Sequence, residues 1–272
     1  MADEPVGNAA PGGPGGGPLL PPPPPGPSPI DDGPDAPPPP PPPPGAAAGS
    51  LPFAAAAAQP GVNPLRELLF ADLPAAQARS VFAHAGDAGR TLVALADAAD
   101  RHDPAAAQAA LAWAPDWNTD TRLHLQAWSL ARDAGVAAAD DAKDVLGVVV
   151  DMGLEDGLDT LAGFADGSAR YLNHSGSAVV WEVPEMAIGQ LVRQLLDAAA
   201  IVVAMGAPLD GERLPPPSRG HTMLSVLTRG GIYVGAGPIE AITEDPRGGP
   251  VIAAATALLQ TLVQRADQAN RP

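Results

Sequence analysis

The chain has 272 residues, 46% of them hydrophobic, with 31 acidic against 15 basic residues for a formal net charge of −16. That length suits one ordinary domain with extensions or two small ones, and the absence of cysteine removes disulfides, thiolate nucleophiles and Cys-ligated zinc together. The acidity argues against nucleic acid and against anionic membrane surfaces, both of which recruit Lys and Arg, and it favours solubility or a basic protein partner.

The composition adds three expectations. Lys143 is the one lysine among the basic residues, and with the abundance of Ala, Gly and Pro this reads as the codon bias of a GC-rich bacterial source. No stretch of about 20 uninterrupted apolar residues offers itself as a membrane span. The start, Met1-Ala2-Asp3-Glu4-Pro5, lacks the basic and apolar regions of a signal peptide, so a cytoplasmic location is expected.

Residues 1–62 are dominated by Pro, Gly and Ala, including the runs Pro21 to Pro25 and Pro37 to Pro44. Proline fixes φ and removes backbone donors, so this arm is expected to be disordered and semi-stiff, a spacer or a docking segment for a proline-binding groove. Order is expected to begin at Asn63-Pro64, a capping residue before proline at the first helical position. An Ala-rich helical region, 63–135, then reads as short helices over 74–84, 87–102 and 104–113 and a better amphipathic one over 120–134, closed by Gly135. Their apolar stripes are thin, for example Leu92, Leu95, Ala96 and Ala99, so they must pack on one another or on the next domain.

From Val145 the pattern turns to β. Residues 145–150 form a continuous apolar run, 158–164 alternate, and 168–173 and 178–183 come next, separated by Asp166-Gly167 and Ser175-Gly176. Asp166-Gly167 is expected to make a two-residue hairpin turn with positive φ at both positions. A long helix is expected from Pro184 to Met205, a second hairpin over 221–228 and 232–235, and a closing helix over 250–266. The fold class is therefore α+β, with element order α-ββββ-α-ββ-α in a domain over 136–272.

The segments Val145-Leu146-Gly147-Val148-Val149-Val150, Gly157-Leu158-Asp159-Thr160-Leu161-Ala162, Asp166-Gly167-Ser168-Ala169-Arg170-Tyr171, Asn173-His174-Ser175-Gly176 and Val180-Trp181-Glu182 resemble a family of uncharacterised bacterial proteins. That resemblance implies no assigned activity and carries over no catalytic residue. The element order is also loosely similar to type III secretion chaperone and YbjN-like folds, and more distantly to roadblock or profilin-like domains. Those folds mostly bind proteins, which implies a protein partner and a homodimer, and fold likeness alone is an associational warrant for function.

Four constellations invite chemistry. Asp151, Glu155, Asp156 and Asp159 crowd one segment, but Gly153 stands where a calcium loop needs an oxygen ligand, so a solvated acidic turn is expected. The five histidines never fall in an i, i+4 pair, and no metal site or cofactor is expected; His124 and Trp128 are at helical i, i+4 spacing, expected to pack. Gly235-Ala236-Gly237-Pro238 reads as a strand-ending turn, since proline supplies no N–H for phosphate. Tyr171, Asn173, His174 and Trp181 form the densest polar and aromatic group and are the candidate interaction or ligand surface, with no catalytic residue assigned. The leading expectation is a non-enzymatic interaction module offering a sheet face or edge to another protein. The alternatives are a small-ligand binder or enzyme using those four residues together with His221 or Tyr233, and an accessory protein that works through its Ala-rich helices.

Overall fold

In this computed structural model the described residues are 62–112, 120–137, 139–182 and 185–269, all within one compact unit spanning 50–272. The proline-rich arm, apart from Val62, and the expected helix start at Pro184 lie outside the described residues.

The chain enters through a 3₁₀ helix, Pro64–Leu69, and four α-helices, α1 Ala75–Phe82, α2 Gly86–Asp100, α3 Pro104–Ala112 and α4 Thr121–Asp133. Asn63 caps the first turn as its sequence implies, its side chain accepting from the Leu65 amide, but the turn is 3₁₀ rather than α. Asp120 caps α4 by accepting from the Arg122 and Leu123 amides, the satisfaction of orphan N–H groups that an Asp N-cap provides. The four helices bury their thin stripes against each other: Leu92, Leu95, Ala96 and Ala99 of α2 meet Ala127, Leu130 and Ala131 of α4 in one cluster. His124 and Trp128 do more than pack. The Trp128 indole donates to His124 Nε2 at 3.1 Å, and burial, with Arg229 nearby, pushes the imidazole below its usual range and so favours its neutral, accepting form.

The remainder alternates β1 Val145–Gly153, β2 Leu158–Phe164, β3 Ala169–Leu172, β4 Ala178–Trp181, α5 Met186–Met205, β5 His221–Thr228, β6 Gly231–Pro238, α6 Ile239–Glu244 and α7 Gly248–Ala269. The strands form one antiparallel sheet in the order β4-β3-β2-β1-β5-β6. The α+β class and element order are thus those read from the chain, with the short α6 added. Strand β1 outruns its apolar run by three residues to Gly153. Strand β6 runs through Gly235, Ala236 and Gly237 to Pro238, which corrects the expected turn there: Pro238 ends the outermost strand, where its missing N–H costs no ladder bond.

The turn after β2 differs from the expected two-residue form. Only Gly167 is left-handed, at φ 86°, while Asp166 keeps negative φ. The Gly167 amide donates to Phe164 O at 2.8 Å, and Phe164 N to Ser168 O at 3.0 Å. This is the three-residue loop with glycine in the αL position, and Gly176, at φ 90°, repeats it between β3 and β4. The Asp166 carboxylate instead ties the turn to α4, accepting from the Ser168 and Thr121 amides at 2.9 Å.

Both faces of the sheet carry packed elements. On one, Val148, Val150, Leu161, Ala169, Leu224 and Val226 pack under α5 and α7 through Ile188, Val192, Leu195, Val251, Leu258 and Leu262. On the other, Val149, Ala162, Phe164, Leu172 and Leu227 lie under Leu69, Phe70 and Leu125 of the entering segment and α4. Two covered faces explain why β1 and β2 read as continuous burial rather than alternation.

Candidate functional site

Strands β1 and β2 carry one carboxylate to each face. Cα pairing sets Asp151 opposite Thr160 and Met152 opposite Asp159, so strand alternation aims Asp151 and Asp159 to opposite sides. Both are buried, at 0% and 8% exposure. Only Glu155 and Asp156 form the solvated turn expected for the whole segment. The expectation failed for the other two because each carboxylate meets donors that are distant in sequence.

Asp159 gathers the candidate residues of β3. The Tyr171 hydroxyl donates to its Oδ2 at 2.6 Å, while the His174 amide and His174 Nδ1 approach Oδ1 at 2.9 and 2.8 Å. A carboxylate only accepts, so the contact places the proton on Nδ1 and leaves Nε2 as the free ring nitrogen. Burial, then the bond to Asp159 and its negative charge, push the Tyr171 phenol above its usual range. Asn173 serves the turn, its Oδ1 accepting from Ser175 Oγ at 2.9 Å and the Ser177 amide at 2.8 Å. Trp181 lies on the same face, two residues along β4 from the partner of Tyr171 and opposite Ala169; its indole N–H is enclosed without an acceptor among the described residues. The structure therefore joins Tyr171 to His174, uses Asn173 as a turn brace and sets Trp181 apart. Strands β2 and β1 separate this group from the second hairpin, so His221 and Tyr233 do not join it.

On the opposite face Asp151 takes Arg66 Nε at 3.0 Å, Arg66 Nη2 at 2.6 Å and Thr160 Oγ1 at 2.6 Å. Arg66 is itself 1% exposed. Burial pushes its guanidinium pKa down, but Asp151 and Glu67 outweigh that and hold it above the ordinary value. Arg213 salt-bridges Glu67 and Asp72, and the guanidinium carbons of Arg66 and Arg213 lie 4.8 and 4.1 Å from the Phe70 ring centroid. This network clamps the entering segment onto the sheet. Among the described residues no three His, Asp or Glu side chains gather as a metal site.

A cavity of about 230 Å³ lies beside β6, under the last turn of α5 and behind α6. Val202, Met205, Leu224 and Ile242 give it an apolar lining, Tyr233 and Gly235 contribute from β6, and Asp245 and Arg247 stand at its mouth. The signal for it in the sequence was the pair Gly235 and Gly237 inside a strand, which marks space or close approach. Comparison of the chain with protein-family models, curated proteins and solved structures finds no match.

Proposed function

We propose that the protein is a non-enzymatic interaction module whose contact surface is the outer side of α5, with a second copy of the chain as its partner. The observation that carries this is the mismatch between the composition of α5 and its burial. The helix is long and apolar enough to cross a bilayer by length and composition, yet only 39% of its apolar stretch is buried. Met186, Ile201 and Met205 are 78%, 41% and 67% exposed. The exposed apolar side chains stand at the two ends of one face of α5, beside the exposed Ala187, Ala200 and Ala204, and favour a contact on that face.

The stripe is self-complementary. It reads Met186, Gln190, Arg193, Gln194, Asp197, Ile201 and Met205, apolar at both ends and oppositely charged at the centre. Two copies packed antiparallel about a two-fold axis level with Leu195 and Leu196 bring Met186 to Met205 and Arg193 to Asp197, the reciprocal pattern of an isologous contact. Neither residue of that central pair has an ion-pair partner among the described residues.

Sedimentation of the full chain at micromolar concentration tests the reading. A dimer is expected for the native chain and for one beginning at Asn63, a monomer for Met186→Glu with Ile201→Glu. Arg193→Asp should weaken the dimer and Arg193→Asp with Asp197→Arg should restore it. A native chain that sediments as a monomer at all concentrations would overturn the self-association.

A further inference from the structure

We infer that the cavity beside β6 is a binding site for a neutral, mainly apolar molecule of about ten non-hydrogen atoms that carries one hydrogen-bond acceptor, held by the Tyr233 hydroxyl. The size comes from the volume: where an enclosed cavity of 150 Å³ takes benzene, a pocket of roughly 230 Å³ that opens to solvent takes at most about nine or ten heavy atoms.

The position of Tyr233 carries the chemistry. Its side chain is 4% exposed and lines the cavity. Its hydroxyl has no hydrogen-bond partner among the described residues, and it is not among the polar atoms sealed off from all space. A buried phenol normally finds an acceptor, and the open space before this one is the cavity. The other apolar side chains of the lining, Val202, Leu224, Ile242 and the exposed Met205, have no oxygen or nitrogen to offer. A carbonyl on an apolar body answers both features at once.

Charge sets the neutrality of the ligand. Arg247 at the mouth is already matched, its Nε and Nη2 donating to Asp245 at 3.2 and 3.0 Å. The N-terminus of α7 is likewise occupied, the Gly248 amide donating to Asp245 Oδ1 at 3.1 Å. With a chain charge of −16, an anion meets neither a free cation nor a favourable field, and a cation meets no buried carboxylate in the lining.

Space for the ligand is built into β6. A Cβ placed on Gly235 would meet no atom within 4 Å, and its φ is not left-handed, so a larger residue there fills the cavity without straining the strand.

Acetophenone, its methylene isostere α-methylstyrene and its carboxylate analogue benzoate separate the three requirements. Titrated into the full chain and followed by amide NMR, acetophenone should saturate in the millimolar range, with shifts at Tyr233, Gly235 and Ile242. α-Methylstyrene should bind about five- to tenfold more weakly, the usual worth of one neutral hydrogen bond, and benzoate should shift nothing. Tyr233→Phe should lower acetophenone to the level of α-methylstyrene, and Gly235→Leu should abolish both, each with an unchanged thermal midpoint. Absence of acetophenone binding to the native chain, or equal affinity in Tyr233→Phe or Gly235→Leu, would overturn the assignment. Arg193→Asp weakens the dimer from the middle of α5, away from the cavity lining, so loss of the dimer and loss of this site are separately readable.

Discussion

Asp151 and Asp159 are neighbours across β1 and β2, yet they occupy different regimes. Asp151 is sealed, and each of its oxygens faces the guanidinium of Arg66, which is itself sealed. Asp159 accepts from the Tyr171 hydroxyl and from the His174 amide and ring near the end of β2, where His174 is 37% exposed. An ion pair without water depends on both members, since removal of one leaves a charge with no solvent to receive it. A carboxylate at the margin can let its partners turn to water. The first site is therefore a fixed clamp on the entering segment, and the second a brace for the β3–β4 turn.

The largest effect that separates them is Asp151→Ala. It strands Arg66 in the core and should cost about 3–5 kcal/mol, the usual loss when one partner of a buried pair is removed, measured as the shift in urea midpoint. The double replacement Arg66→Met with Asp151→Leu should recover most of that, because two apolar side chains of similar volume remove the desolvation cost along with the attraction. A double variant as unstable as the single would show that Asp151 acts through Thr160 rather than through Arg66.

Asp159→Ala comes next. Three donors lose their acceptor, but Tyr171 and His174 reach solvent, so about 1–3 kcal/mol is expected. Adding Tyr171→Phe to it should cost little more, since the hydroxyl has already lost its partner; full additivity of the two in a double-mutant cycle would break the brace reading.

Much of the fold was legible because local signals agreed. Asn63-Pro64, Asp120, Gly135, Gly167 and Gly176 each punctuate the chain where their chemistry requires, and the bounds of β2 and β5 match those read from the sequence. The fates of the two carboxylates were not legible. Arg66 stands 85 residues from Asp151, and His174 15 from Asp159, and no local pattern reports a partner at that distance. The same limit applied to the candidate site. Tyr171 and His174 were visible as a dense group, but their common acceptor was hidden in a segment that reads as acidic and solvated. The cavity escaped notice because Tyr233 sits in an ordinary strand pattern, and only the fold brings α5, α6 and α7 around it.

The smallest effect is one of pH, and it belongs to Asp159 alone. Burial, and then the bond to Asp159 and its charge, raise the Tyr171 phenol above the ordinary value of 10. For a group raised in the folded state the neutral form is the stabilised one. Its contribution is complete below the unfolded value, near pH 10, and declines as pH rises from there through the folded pKa. An absorbance titration should show Tyr171 ionising later than a free phenol, and Asp159→Ala should bring that ionisation back toward the ordinary range. The stability difference between the native chain and Tyr171→Phe should be flat up to about pH 10 and shrink beyond it. A difference that stays flat above about pH 10 would break the coupling of the Tyr171 phenol to Asp159.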